Sequence, residues 1–226
     1  MEILNKVSSL LRRLGADDVG FYSDKLIIPD SLTPAPLTVV TMVFKIDCSI
    51  INRITELEKD FHSAQLEKKK QAGEIIVEAE KMLSGLGYKV FELDNAQDSV
   101  TLKAPLSYKE YAVKSGLGWI GKNSLLISNR CGPGIYLASF ITDLPAPENA
   151  SIINEKCGTC TLCAEKCPPG AVKGKNWSVG LNRDDLIDAF LCSSYRLNND
   201  KSKSQQRKDS CGICIQVCPF VHKTSK

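Results

Sequence analysis

Eight of the ten cysteines in this 226-residue chain fall between positions 157 and 218. The first group, CGTCTLCAEKCPPGAV, places Cys157, Cys160, Cys163 and Cys167 in the pattern C-x2-C-x2-C-x3-C-P. Three thiolates spaced two residues apart on a tight loop can wrap one iron–sulfur cubane, and backbone amides of that loop can donate to its sulfurs. The fourth, just before Pro168, points away and can serve a second cluster. A second group, CGICIQVCPF, supplies Cys211, Cys214 and Cys218 ahead of Pro219. Aligned with the first group, it lacks the leading cysteine, and Lys208 stands there instead. Cys192, in DAFLCSSY, is the nearby thiol able to fill the gap.

The spacing is that of bacterial ferredoxins, whose ligands cross between two motifs. By that rule Cys157, Cys160, Cys163 and Cys218 hold one [4Fe–4S] cluster. Cys167, Cys192, Cys211 and Cys214 hold the other. Structural zinc is the rival reading, because paired C-x2-C motifs also build tetrahedral sites. Four cysteines within eleven residues, and a closing Cys-Pro in both groups, suit a cubane better. For Cys192 alone the plainer alternative is a buried apolar thiol, since Leu186, Ile187, Phe190 and Leu191 surround it. Clusters on crossed ligands lie close together, so the module relays electrons; it does not choose a substrate.

Stepping outward from the cysteines, 43% hydrophobic and 24% charged residues suit one large domain, or a medium one with a smaller partner. The change in cysteine density falls at the linker DLPAPENAS and divides the chain into residues 1–148 and 149–226. A net charge of +3 is too small to argue for a nucleic-acid partner. No run of about 18 apolar residues is present to span a membrane. Ile3, Leu4, Val7, Leu10, Leu11 and Leu14 recur at helical spacing before Gly15, so the start reads as an amphipathic helix and not an export signal. A cytoplasmic setting follows, in which thiols stay reduced and crowded cysteines bind metal. LTVVTMVF reads as a buried strand, residues 61–84 as a long helix and YKVFEL as another strand. The run KSKSQQRKDS, with Lys201, Lys203, Arg207 and Lys208, reads as a solvated loop able to meet an acidic redox partner.

The stretch GLGWIGKNS imitates two nucleotide motifs. Gly116, Gly118 and Gly121 spell G-x-G-x-x-G, and Gly116, Gly121 and Lys122 spell most of a phosphate loop. A dinucleotide fingerprint must follow a strand and open a helix. Here a helix comes first, announced by a capping box of Ser107 and Glu110, and Gly116 ends it. Asn123 stands where a phosphate loop needs a hydroxyl. The glycines therefore serve a sharp helix-to-strand connection packed by Trp119, or a loop facing a bulky ligand.

PLSYKEYAVKSGLGWIGKNSLLI, then GPGIYLASFITDLP, then the two cysteine groups, resemble the epoxyqueuosine reductases and their reductive-dehalogenase relatives over roughly residues 100–220. The resemblance implies an α/β fold, with an N-terminal domain of nitroreductase-like topology that cradles cobalamin and a C-terminal ferredoxin-like double-cluster module. It places corrinoid contacts at Gly116, Gly118, Gly121, Lys122 and Asn123, and it implies the same eight cysteine ligands. It further implies an oxidoreductase that takes electrons from a reduced donor protein and passes them to a bound corrinoid. The alternative is an electron carrier that binds no cobalamin. In the reductases an acid three residues before the matching proline supplies a proton; counting back from Pro105 gives Leu102. Lys103 and Tyr108 are the nearby substitutes, and no catalytic residue is assigned.

Overall fold

In this computed structural model, which describes residues 2–26, 36–56, 58–91, 95–148, 152–198 and 211–223, the chain opens with the expected helix, α1 (Glu2–Arg13). Strands β1 (Asp18–Asp24) and β2 (Leu37–Lys45), helices α2 (Cys48–Ile51) and α3 (Glu58–Gly85), and strand β3 (Val90–Phe91) follow. Helix α4 (Tyr108–Lys114) leads to β4 (Gly118–Ile120), β5 (Leu126–Ser128) and β6 (Ile135–Thr142). The last third is short helices: α5 (Leu162–Glu165), α6 (Arg183–Leu186), α7 (Ala189–Asn198), α8 (Ile213–Gln216) and α9 (Phe220–Lys223). The basic run 201–210 lies outside the described residues.

Two compact units divide the chain, and neither is continuous. The first comprises residues 1–44, 68–118 and 136–153. Its sheet runs β1-β2-β6-β3; β1 and β2 are antiparallel, with Asp18 opposite Val43 and Asp24 opposite Leu37. Strand β2 is buried from Leu37 to Phe44, because alternate side chains enter two different cores. Val40, Met42 and Phe44 meet Leu4, Val7 and Leu11 of α1 and Ala72, Ile75, Ala79 and Leu83 of α3. Leu37 and Val39 face Leu106, Tyr111 and Ile141 instead. Helices on both faces of a sheet whose β1–β2 and β3–β6 pairs are antiparallel make this unit a mixed α and β fold. The Ser107 hydroxyl accepts from the Glu110 amide to cap α4, as its sequence predicts. Gly116, at φ 76°, closes that helix with Leu117 N–H donating to the Ala112 carbonyl.

The second unit comprises residues 45–67, 119–135 and 154–226. Two segments that precede the linker in sequence thus pack with the cysteine-rich third, and compactness does not follow the 1–148 and 149–226 division. Ile46, Ile51, Ile54 and Phe61 bury themselves against Ile215 and Val221, with Cys214 and Cys218 at the edge of that cluster. Gly212 has φ 71°, and a Cβ there would stand 2.9 Å from Ile54 and 3.1 Å from Phe61. Only glycine satisfies both the left-handed backbone and the close approach. Gln216 then fastens α8, donating to the Asn52 carbonyl at 2.8 Å. Strands β4 and β5 form a two-stranded ribbon, and the turn between them contains Lys122 and Asn123. Ser124 N–H donates to the Gly121 carbonyl at 2.8 Å to close that turn. A Cβ on Gly121 would lie 2.9 Å from the Asn123 side-chain oxygen, which accounts for one glycine of the nucleotide-like motif.

Candidate metal centre

Local turns present the first four cysteines. The Glu155 carboxylate accepts from the amides of Cys157 (2.7 Å) and Gly158 (3.3 Å), and Gly158 is left-handed at φ 52°. The Cys160 amide donates back to the Cys157 carbonyl at 3.0 Å. Helix α5 then carries Cys163, and the Cys167 amide ends it on the Ala164 carbonyl at 3.3 Å. In the second group, α8 carries Cys214, while Cys218 lies between α8 and α9. Cys192 lies on α7 and donates its amide to Asp188. No cysteine is in a disulfide.

The thiols lie in two neighbourhoods. Cys157, Cys160, Cys163 and Cys218 line one cavity, together with Lys122, Asn123, Pro219 and Phe220. Cys192 lies within electrostatic reach of Cys167 and Cys211, and Cys214 within reach of all three. Cys214 also feels Cys163, so the two sets adjoin. Among the described residues, no three His, Cys, Asp or Glu converge as they would on a single metal ion. Burial pushes the Cys214 thiol up to about 12 and Cys218 up to about 11, with nearby thiols adding repulsion. Cys163 and Cys192 are raised for the same first reason. Without metal these groups hold their protons, so iron must displace protons when it binds.

The glycine loop is shared out. Gly116 and Gly118 belong to the sheet unit, and Gly121, Lys122 and Asn123 to the cysteine unit. Lys122 and Asn123 are only 6% and 3% exposed. The Asn123 amide donates to the Cys214 carbonyl at 3.2 Å, and its oxygen accepts from the Leu125 amide. Two contributors at this centre escape the motif reading. Lys122 faces the first set of thiols, and buried Trp119 packs edge-on against Phe220 at 5.0 Å. The signal for the first was a lysine in a tight turn between two short apolar strands.

Elsewhere, Leu102 occupies a left-handed position (φ 53°) in a turn held by Asp98. The Asp98 carboxylate accepts from the amide and the hydroxyl of Thr101, which hold it below the usual aspartate range. It is therefore poorly suited to replace a missing acid. Cys48 packs at the edge of the Ile46–Val221 cluster, as a core thiol.

A family model described as a 4Fe-4S double cluster binding domain matches residues 156–221. The cysteine-rich third thus carries a double [4Fe–4S]-cluster binding domain. The match decides between iron–sulfur and zinc for the double-cluster region. Epoxyqueuosine reductase of Cyclobacterium marinum is 37% identical over 125 residues, covering 52% of this chain and 37% of the relative. The chain spans less than half the length of the first curated relatives it matches. Two solved structures share its fold. One is an epoxyqueuosine reductase with a tRNA stem loop (TM-score 0.64, 17% identity, 97% of this chain and 65% of that one). The other is a reductive dehalogenase whose structure suggests a mechanism for B12-dependent dehalogenation (0.66, 20%, 95% and 31%). The tRNA stem loop in the first structure runs against the expectation that a nucleic-acid partner is unlikely. Among the described residues no helix is long and apolar enough to cross a membrane.

Proposed function

We propose that this protein is an iron–sulfur oxidoreductase that relays electrons through two [4Fe–4S] clusters to a bound corrinoid. The observation that carries the reading is the gathering of eight cysteines into two adjoining sets of four. In this reading Cys157, Cys160, Cys163 and Cys218 ligate one cluster, and Cys167, Cys192, Cys211 and Cys214 the other. When bound, the clusters supply one-electron carriers. The protein's own part is to exclude water with Pro219 and Phe220, to orient the thiolates on short helices, and to buffer their charge. B12-dependent dehalogenation by a protein of the same fold supports the corrinoid.

Of the loop expected to touch that corrinoid, Lys122 and Asn123 are engaged beside the cysteines. Leu102 in place of an acid favours reduction of the corrinoid itself, which needs no proton from the protein. Reduced thiols suit a cytoplasmic setting with a reduced protein as donor.

Anaerobic reconstitution should give roughly eight iron and eight sulfide per chain, the content of two cubanes. Titration with cob(II)alamin should then shift the visible spectrum in proportion to protein. Full iron without any cobalamin response at high micromolar concentration would leave an electron carrier and end the corrinoid reading. A parallel titration with a tRNA stem loop tests whether the RNA partner extends to this chain.

A further inference from the structure

Lys122 is a lysine enclosed to 6% exposure, and none of the described carboxylates forms an ion pair with it. A buried ammonium requires an anionic neighbour or a strong hydrogen-bond acceptor, because desolvation of an isolated charge is costly. The neighbours it has are Cys157, Cys160, Cys163 and Cys218, with which it lines one cavity. The next residue, Asn123, turns the other way and holds the Cys214 carbonyl of the second set. The β4–β5 turn thus lines the cavity of the first set with its lysine. The second set has a different electrostatic setting: half-buried Arg196 acts on Cys192, and Asp188 opposes it.

We infer that Lys122 sets the direction of the relay, its buried cation making the cluster of Cys157, Cys160, Cys163 and Cys218 the more easily reduced of the two. The inference rests on the cluster assignment proposed above. One electron enters and no bond breaks; the cubane with its four thiolates passes from a dianion to a trianion. A fixed cation at the cavity wall stabilises the trianion more than the dianion and so raises the potential. The β4–β5 ribbon gives the cation a fixed position, since Gly121 and Ser124 close the turn on either side of it.

The test is an electron-paramagnetic-resonance redox titration of the anaerobically reconstituted full chain, with dithionite as reductant, comparing wild type, Lys122→Gln and Lys122→Arg. Iron and sulfide are counted first. A wild-type chain with fewer than two clusters fails the parent assignment, and this inference with it, before any potential is read. With both clusters present, Lys122→Gln should lower one midpoint potential by about the equivalent of a tenfold weaker one-electron reduction, ~59 mV. The other midpoint should stay in place, and Lys122→Arg should restore the first. Adding Cys192→Ser, which removes the second cluster, should leave the shifting signal and delete the unmoved one. Unchanged potentials in fully loaded Lys122→Gln, or a shift in the cluster that Cys192→Ser deletes, would overturn the inference. Loss of the first cluster in Lys122→Gln with retention in Lys122→Arg would overturn it too, by assigning Lys122 to assembly.

Discussion

In the sheet unit, α1 and α3 press Leu4, Val7, Leu11, Ala72, Ile75, Ala79 and Leu83 onto one face of β2, and Tyr111 of α4 covers the other. The cysteine unit has a smaller apolar nucleus around Ile54, Phe61 and Ile215, and its outlying segments lack even that. No residue from Asn154 to Gly170, or from Ala189 to Leu197, is fully buried. Exposed Phe190, Leu191 and Leu197 lie on the same helix as Cys192. Helices of four to ten residues without a buried face do not hold themselves together in water. One unit is ordered by side-chain packing; the other uses iron–sulfur clusters as part of its interior.

The largest test of that contrast is removal of the clusters. In the chain stripped of iron, hydrogen exchange should show amides of 157–170 and 189–197 opening at close to ~0 kcal/mol, while β2 and β6 keep their protection. Equal loss in both units would break the distinction. The reverse experiment is Phe44→Ala, which empties a fully buried site in the sheet unit. It should lower the stability of that unit by about 3–5 kcal/mol without changing iron content, checked by denaturant unfolding beside an iron assay.

The smallest effect is a pH dependence confined to the metal-free chain. Burial raises the Cys214 thiol from 9.0 to about 12 and the Cys218 thiol to about 11. Above pH 9 the folded chain therefore binds more protons than the unfolded one, and stability falls as pH rises. The stabilisation is complete below pH 9 and is lost progressively as pH passes through about 11 and then about 12. Melting temperatures taken anaerobically from pH 8 to 11 should decline in the stripped chain. The loaded chain, whose thiolates are already deprotonated on iron, should lack this thiol-linked decline.

The sequence carried its metal chemistry in short-range spacing, and there it was legible. The two cysteine groups, with Cys192 as the thiol nearest the gap at Lys208, point to two clusters by spacing alone, and the double-cluster match covers all of them. The strand LTVVTMVF and the Ser107 cap were readable because period and capping are local properties. The association of 45–67 and 119–135 with the cysteines was not, since it depends on Ile54 and Phe61 meeting Gly212 about 150 residues later, and no local pattern encodes that contact. The place of Lys122 beside the thiols was hidden for a related reason. Inside G-K-N it resembled a ligand contact, and only the fold brings the β4–β5 turn against the thiols.

The three-part stitching of the cysteine unit has a practical consequence. A fragment cut to the matched residues 156–221 would leave behind Ile46, Ile51, Ile54 and Phe61, exposing the underside of α8 and α9 to solvent. Grafting this electron conduit onto another scaffold would thus mean transplanting the α2 region and the β4–β5 ribbon with it, as one indivisible cassette.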